Sequence, residues 1–312
     1  MAVKKVQQVC PVSECGYTGN LASIAGHVSG TKDGSHDWNR LGYDGANHFK
    51  QHGDADSRTD PQPVTIGWLT DSHIGKRRGG YGKKRWEIQP EADFLRAIEQ
   101  IEPFDPDAIV FTGDLFQNDE QGISPEQRRS LSASFERVSN GPTPVYYILG
   151  NHAGEDGDAV WASLDLRSPV IHLSEQPQIV GNTALYGVDY HPDSWWETTV
   201  PQLKPTSAAF TVLCLHQSVE PYRSPQVADF DLRTVLPKLC TNLDRLSNVV
   251  LIGHMHESID DTISIDEQTV AVSNYGATTR IGKQWDSFEP GSAVITTNAD
   301  EIDVVHPGAH GC

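Results

Sequence analysis

The most regular feature of this chain is a short apolar run that stops at a polar cluster, and it occurs five times. VTIGWLT runs into Asp71 and His73, AIVFTG into Asp114, VYYILG into Asn151 and His152, FTVLCL into His216, and NVVLIG into His254 and His256. Short runs rich in Val and Ile and bounded by Gly predict buried strands. Helical patterns lie between them. QPEADFLRAIEQI puts Pro90 near its start and Phe94, Leu95, Ile98 and Ile101 on one face, and SPEQRRSLSASFERV offers Ser124 as an N-cap, Pro125 in the first turn, and Leu131, Phe135 and Val138 for burial. Strand, loop, helix and strand in succession imply an α/β sheet, in which ligands gather at the carboxyl ends of the strands. All five polar clusters fall at such ends. After His256 the segments TISI, TVAVSN and SAVITT predict antiparallel strands completing a second sheet.

Ahead of this body, GDADSRTDPQP at residues 53–63 is rich in Asp, Gly and Pro without apolar periodicity and predicts a linker. The expected organisation is an N-terminal module at 1–52, the linker, a catalytic body at 64–306 and a tail at 307–312. In the module, Cys10-x4-Cys15-x11-His27-x8-His36 comes close to a two-Cys, two-His zinc spacing, with a last gap longer than the usual three to five. His48 and His52, in HFKQH, have the usual His spacing and are alternatives to His36 as ligand. One structural Zn2+ is expected there, with Trp38 and Leu41 packed against it, because a short, core-poor segment needs such a staple.

Charge changes the picture at one place. The chain carries 42 acidic against 24 basic residues, a formal net charge of −18, and its Asp-rich, Lys-poor balance fits the surface of a halophilic protein in a high-salt cytoplasm; the alternative is a moderately acidic mesophilic enzyme. Against that background Lys76, Arg77, Arg78, Lys83, Lys84 and Arg85 crowd directly after the Asp-x-His pair. With Gly79, Gly80 and Gly82 to bend the backbone and Tyr81 to stack, this loop is a candidate lip for tracking phosphates; the alternative is a solvated loop offsetting the surrounding acid. No window approaches the roughly 18 apolar residues that would cross a bilayer, so a cytoplasmic protein without membrane contact is expected. Five cysteines, Cys10, Cys15, Cys214, Cys240 and Cys312, are too few and too odd for a disulfide framework.

Together, D-x-H, G-D, G-N-H, H and G-H-x-H, in that order and each after a strand, resemble the calcineurin-like metallophosphoesterases over about residues 64–306. The resemblance implies a four-layer α/β/β/α sandwich and two divalent metal ions, Mn2+ first, with Fe or Zn2+ as alternatives. It assigns Asp71, His73 and His256 to one metal and Asn151, His216 and His254 to the other, with Asp114 bridging both. A hydroxide bridging the metals would attack phosphorus in line, and a protonated His152 would supply the leaving oxygen with its proton. The alternative for His152 is to hold a ligand in place. Where the family continues G-N-H with an acid, this chain has Ala153.

Within that superfamily DSHIG, GDLFQ, LCLHQS and GHMHE are most similar to the SbcD-type DNA double-strand-break repair exonucleases, although Gln117 stands where those commonly have His. Asn118 and Asp119 follow and are not assigned to metal; Arg280, in SNYGATTRIG, reaches either substrate or a structural salt bridge. The implied function is a DNA nuclease. The alternatives are a small-molecule phosphoesterase, such as a cyclic-nucleotide phosphodiesterase or phosphatase, and a non-catalytic module that binds nucleic acid or protein. SbcD-type enzymes carry a capping domain and a segment for an SMC-like ATPase after the catalytic domain, whereas this chain ends at PGAHGC, so a stand-alone or differently partnered nuclease is expected.

Overall fold

All five apolar runs are strands in the computed structural model of the chain. The structure describes residues 8–10, 15, 17–19, 21–32, 36, 38, 45–46, 63–81, 84–117, 124–138, 143–153, 157–275, 278–279, 291–297 and 301–307; of residues 8–9, 18–19, 21–22, 80–81, 84–86, 138, 157, 159–160 and 275 it describes only the backbone. The chain forms two compact units, Met1–Gln62 and Pro63–Cys312. Among the described residues no helix is long and apolar enough to cross a membrane.

The first unit holds strands β1 (Gln8–Val9) and β2 (Thr18–Gly19), paired antiparallel, and helix α1 (Leu21–Gly30). The second begins with β3 (Val64–Leu69), a hairpin of β4 (Arg78–Tyr81) and β5 (Lys84–Glu87), α2 (Pro90–Ile101), β6 (Ala108–Thr112), α3 (Pro125–Val138), β7 (Val145–Ile148), α4 (Gly157–Ala162) and β8 (Val170–His172). It continues with β9 (Gln178–Val180), β10 (Thr183–Val188), α5 (Asp193–Thr198), β11 (Phe210–His216), the short pair β12 (Val219–Glu220) and β13 (Phe230–Asp231), α6 (Leu232–Leu239), β14 (Val249–Gly253), β15 (Ser258–Ile265), β16 (Gln268–Tyr275), β17 (Ala293–Thr297) and β18 (Ile302–Val305).

Two six-stranded mixed sheets result, in the orders β18-β17-β3-β6-β7-β8 and β15-β16-β14-β11-β10-β9. Strands β3, β6, β7 and β8 run parallel in the first sheet, and β16, β14, β11 and β10 in the second. The period-2 alternation of side chains divides their apolar residues between two cores. Ile66, Trp68, Val110 and Ile148 meet Leu185, Val212, Cys214 and Leu251 between the sheets. Ile109, Phe111 and Tyr147 turn the other way, onto Phe94, Ile98, Phe135 and Trp161 of the helices. Behind the second sheet, Tyr186, Leu213 and Val250 pack on Trp196 and on Leu232, Val235, Leu236 and Leu239. Three cores separate four layers, helices, sheet, sheet and helices, as the resemblance implies.

Two sequence expectations need correction. The buried face of α2 is Phe94, Ala97, Ile98 and Ile101, while Leu95 is only half-buried; spacings of three, four and seven residues define one stripe, and Leu95 sits at its margin. SAVITT joins the first sheet, with Ala293 opposite Trp68 and Ile295 opposite Ile66. Its alternation fits either sheet edge, and only the fold decides between them. The capping of α3 goes beyond the Ser124 expectation: Gln127 N donates to Ser124 Oγ (3.2 Å), and Ser124 N donates back to Gln127 Oε1 (2.8 Å), a reciprocal box. Phe94→Ala, which opens a cavity, is expected to lower unfolding free energy by about 3–5 kcal/mol, and Ser124→Ala by about 1 kcal/mol. Denaturant titration checks the order; a larger loss at Ser124 would contradict this account of the helical layer.

Candidate metal centre

Parallel register brings the strand ends to one edge: Leu69 lies opposite Phe111, Thr112 opposite Ile148, and His216 opposite Gly253. Beyond the strands the loops stay laced together. Asp71 N donates to Gly113 O (3.1 Å), His73 N to Asp114 O (3.0 Å) and Ile74 N to Leu115 O (2.9 Å). Asp71, His73, Asp114, His254 and His256 all have positive φ, between 47° and 79°. Each such non-glycine residue costs roughly 1–3 kcal/mol, and here the strained positions turn side chains of three loops toward one point. Two glycines make the close approach feasible: a Cβ on Gly150 would stand 2.1 Å from Asp114 Oδ1, and one on Gly113, at φ +93°, 2.3 Å from the His216 ring.

The side chains form two neighbouring groups. In one, Asp71 Oδ1 lies 3.3 Å from His256 Nε2 and 3.7 Å from His73 Nε2, and the two Nε2 atoms are 3.1 Å apart. In the other, Asn151 Oδ1 lies 2.8 Å from His254 Nδ1 and 3.2 Å from His216 Nε2, which is also 3.2 Å from Asp114 Oδ2. Asp114 Oδ2 reaches toward the first group as well, 3.9 Å from His73 Nε2. Asp71 and Asp114 are buried, and the buried Nδ1 atoms of His73 and His256 have no partner among the described residues.

Electrostatics suits cations. Burial works to raise the Asp71 carboxyl, but His256, His216 and His73 outweigh it and hold it well below the ordinary range. Asp114, pulled the same way by His216 and His73 against its burial, is lowered to about 2. Burial first, with His216 assisting, lowers His254 to about 4, and burial lowers His256 to about 3; both are neutral near pH 7, the form in which imidazole can bind a metal. His216 Nδ1 donates to Thr112 O (2.7 Å). That bond fixes the tautomer and leaves Nε2 facing the carboxylates, whose charge overcomes burial and pushes His216 up to about 9. A cation at Nε2 displaces that proton. Carboxylate, imidazole and amide oxygen converging on two adjoining points therefore fit a pair of divalent ions.

The calcineurin-like phosphoesterase family matches residues 64–258, more than half of the chain. The chain belongs to this family. It is 28% identical over 239 residues to the DNA double-strand break repair protein Mre11 of Haloferax volcanii, covering 75% of this chain and 49% of that protein. It is 27% identical to the protein of that name from Methanosarcina acetivorans, over 77% of this chain and 38% of that one. The chain thus spans half or less of the length of the curated relatives it matches, and the likeness to a Haloferax protein fits its acid-rich composition. Among solved structures, a novel archaeal phosphodiesterase aligns over 78% of this chain and 99% of its own at 14% identity, with a TM-score of 0.40.

Beside the family's ligand positions stands a relay that sequence reasoning touched only as a departure. Lys76 Nζ donates to Gln117 Oε1 (2.9 Å), and Gln117 Nε2 faces His152 Nδ1 (3.2 Å). An ammonium only donates, so its partner must be the amide oxygen, and the NH2 end is left for His152. His152 Nδ1 is then an acceptor and Nε2 carries the proton, 3.9 Å from Asp114 Oδ2. Burial lowers the His152 pKa against the pull of Asp114, with His73 and Lys76 assisting. These surroundings favour a neutral imidazole over the protonated one expected from sequence.

Only part of the basic segment lies within the described residues. Lys76 is half-buried and turned inward, Arg77 pairs with Glu91 (3.3 Å), Arg78 is exposed, and Arg78–Tyr81 pairs antiparallel with Lys84–Glu87. Lys83 and the side chains of Lys84, Arg85 and Tyr81 lie outside the described residues, as do Gly82, Asn118, Asp119 and Arg280. In the first unit, Cys10, Cys15, His27 and His36 present one ligand atom each, all within 4.8 Å of one another. A backbone amide at Tyr17 and the His36 and His27 rings lower the Cys15 thiol to about 6. Leu41, His48 and His52, most of the expected linker and most of the tail lie outside the described residues.

Sequence reasoning missed the supports. Thr70 Oγ1 donates to Asp71 Oδ2 (2.6 Å), and Ser72 meets Thr278 (2.6 Å). Tyr190 lies 5.5 Å from the His254 ring. Asp189 Oδ1 accepts from Leu149 N (2.7 Å), anchoring the Gly-Asn-His turn, and from His172 Nε2 (2.9 Å); His172 Nδ1 reaches Asp158 Oδ1 (3.0 Å). The pattern that could have found Asp189 is the apolar run TALYGV ending at Asp, which again marks a strand end. Burial opposes protonation of His172, but the hydrogen bond and charge of Asp189, with Asp158, outweigh it and raise its pKa above 6.5. A raised folded pKa stabilises fully below the unfolded pKa, and the gain is lost as pH rises through the folded value. His172→Gln is therefore expected to lower Tm more at pH 5.5 than at pH 9. An equal loss at both would contradict the ion-paired state.

Proposed function

We propose that the chain is a metal-dependent phosphodiesterase that cleaves DNA. Asp71, His73 and His256 hold one divalent cation, Asn151, His216 and His254 a second, and Asp114 is shared. The observation that carries this is the place of Asp114, whose Oδ2 stands 3.2 Å from His216 Nε2 and 3.9 Å from His73 Nε2, members of the two groups. The mixed oxygen and nitrogen donors favour Mn2+, with Fe or Zn2+ next. When bound, two such cations supply positive charge against the phosphate oxygens and acidify the attacking water.

The chain's own residues supply positioning. Strained loops hold the carboxylates so that no reorganisation is needed when the phosphate arrives. His152 points its Nε2–H at the leaving oxygen as a hydrogen-bond donor that offsets the developing charge, Gln117, held by Lys76, keeps that proton on Nε2, and the leaving oxygen takes its proton from water. Lys76 also brings a cation to the rim of the phosphate site. The naming of two relatives as DNA double-strand break repair proteins supports DNA as the substrate; partnership with an ATPase is not part of the proposal.

The test is Mn2+-dependent cleavage of end-labelled single- and double-stranded DNA beside a small bis-aryl phosphodiester, at molar salt, with Asp114→Ala as the blank. DNA cleavage that vanishes in the variant is expected; cleavage of the small ester alone would overturn the nuclease reading in favour of a small-molecule phosphoesterase. His152→Ala should keep its metal content and lose about 10²- to 10³-fold in turnover. Gln117→Ala should lose about 10- to 100-fold at unchanged metal content. Unchanged turnover in either variant would remove its assigned role.

A further inference from the structure

The cluster at Cys10, Cys15, His27 and His36 is independent of the phosphoesterase site and contains the sulfur that site lacks. We infer that these four side chains bind one Zn2+ as a tetrahedral Cys2His2 site and that this ion closes the Met1–Gln62 unit.

Three atoms of the cluster touch one another pairwise: Cys15 Sγ to His27 Nε2 at 3.1 Å, His27 Nε2 to His36 Nε2 at 3.1 Å, and His36 Nε2 to Cys15 Sγ at 3.3 Å. Hydrogen bonds do not satisfy such a triangle. Each N–H or S–H points along one edge, and lone pairs face each other across the remainder. A cation at the centre satisfies all of them at once, since Zn–N of about 2.0–2.1 Å and Zn–S of about 2.3 Å give ligand-to-ligand edges of about 3.3–3.8 Å. Cys10 brings the fourth atom into the same 4.8 Å cluster, and neither Cys10 nor Cys15 is in a disulfide.

The backbone explains the unusual spacing. Cys10 closes the β1–β2 hairpin through its N–H to Tyr17 O (2.7 Å), which brings the two thiols together. His27 lies on α1, which ends at Gly30, where Thr31 turns back onto His27 O through both N (3.0 Å) and Oγ1 (2.8 Å). The next helical turn is therefore not available for a second ligand. Eight residues separate His27 from His36, whose Nε2 nonetheless lies 3.1 Å from that of His27. Tyr17 stacks flat on the His27 ring at 4.2 Å and fixes its plane. Among the described residues the apolar core of this unit is Ile24, Ala25 and Val28 with Cys10, backed by Cys15, Trp38 and Ala46. A core of that size gives little folding free energy, and a structural zinc supplies it directly. Zinc binding replaces the two thiol protons, which pass to solvent.

Cobalt spectroscopy separates this site from the catalytic one, because only thiolate ligands give a sulfur-to-cobalt charge-transfer band in the near-ultraviolet. The reduced full chain, stripped with chelator and titrated with Co2+, is expected to show that band and to lose it when Zn2+ is added. Cys15→Ser should lose the band, whereas Cys15→His, which restores a nitrogen ligand, should keep a weaker one and displays the site even where the serine variant fails to fold. Cobalt binding to the reduced wild-type chain without a charge-transfer band would overturn the inference. So would a band that Cys15→His leaves undiminished. Neither readout depends on phosphoester hydrolysis, so the inference stands or falls apart from the nuclease proposal.

Discussion

Two carboxylates buried side by side are the constraint to which the rest of this fold answers. Asp71 and Asp114 are shielded from water and kept ionised by surrounding imidazoles, backbone amides and the Thr70 hydroxyl. Such a concentration of negative charge is tolerable only with cations nearby. The parallel strands of the two mixed sheets deliver it to a single edge because their ends are in register and because the His216 ring crosses from one sheet to a carbonyl of the other. Left-handed residues at five positions of the cluster store strain that a loosely packed scaffold could not hold. The three apolar cores, with neighbouring strands locked at both faces, hold it.

The same constraint explains the division of labour around the centre. The clustered Asp, Asn and His side chains come from loops at strand ends, whereas several of their supports come from elsewhere: Thr278 from the segment after β16, Asp189 from the end of β10, His172 from the edge strand β8. Lys76 and Gln117 form a separate arm on the open side, where His152 stands. Lys76, turned inward, donates to an amide and not to a carboxylate, and so fixes a hydrogen-bond network that reaches His152.

Much of this was legible in the sequence because the signals are local. A Val- and Ile-rich run ending at Asp, Asn or His announces both a buried strand and the polar cluster at its end, and five in series announce a shared edge. What the sequence did not disclose depends on distant contacts. Whether Ala293–Thr297 joins the first or second sheet is decided by partners that alternation does not specify. That Leu95 sits beside the core and Ala97 within it follows from the helix phase against β6. Gln117 read as a departure from a family pattern, and only its contacts with Lys76 and His152 give it a role. The capping box of α3 was half visible, since Ser124 was recognised and its partner Gln127 was not.

The central claim is that Asp114 joins two cations into one centre, and electron paramagnetic resonance of the Mn2+-loaded chain tests it most directly. Two ions about 3.5–4 Å apart give an exchange-coupled spectrum, and Asp114→Asn should remove the coupling. A spectrum of isolated Mn2+ in the wild-type chain, or a coupled one that survives in Asp114→Asn, would contradict the account.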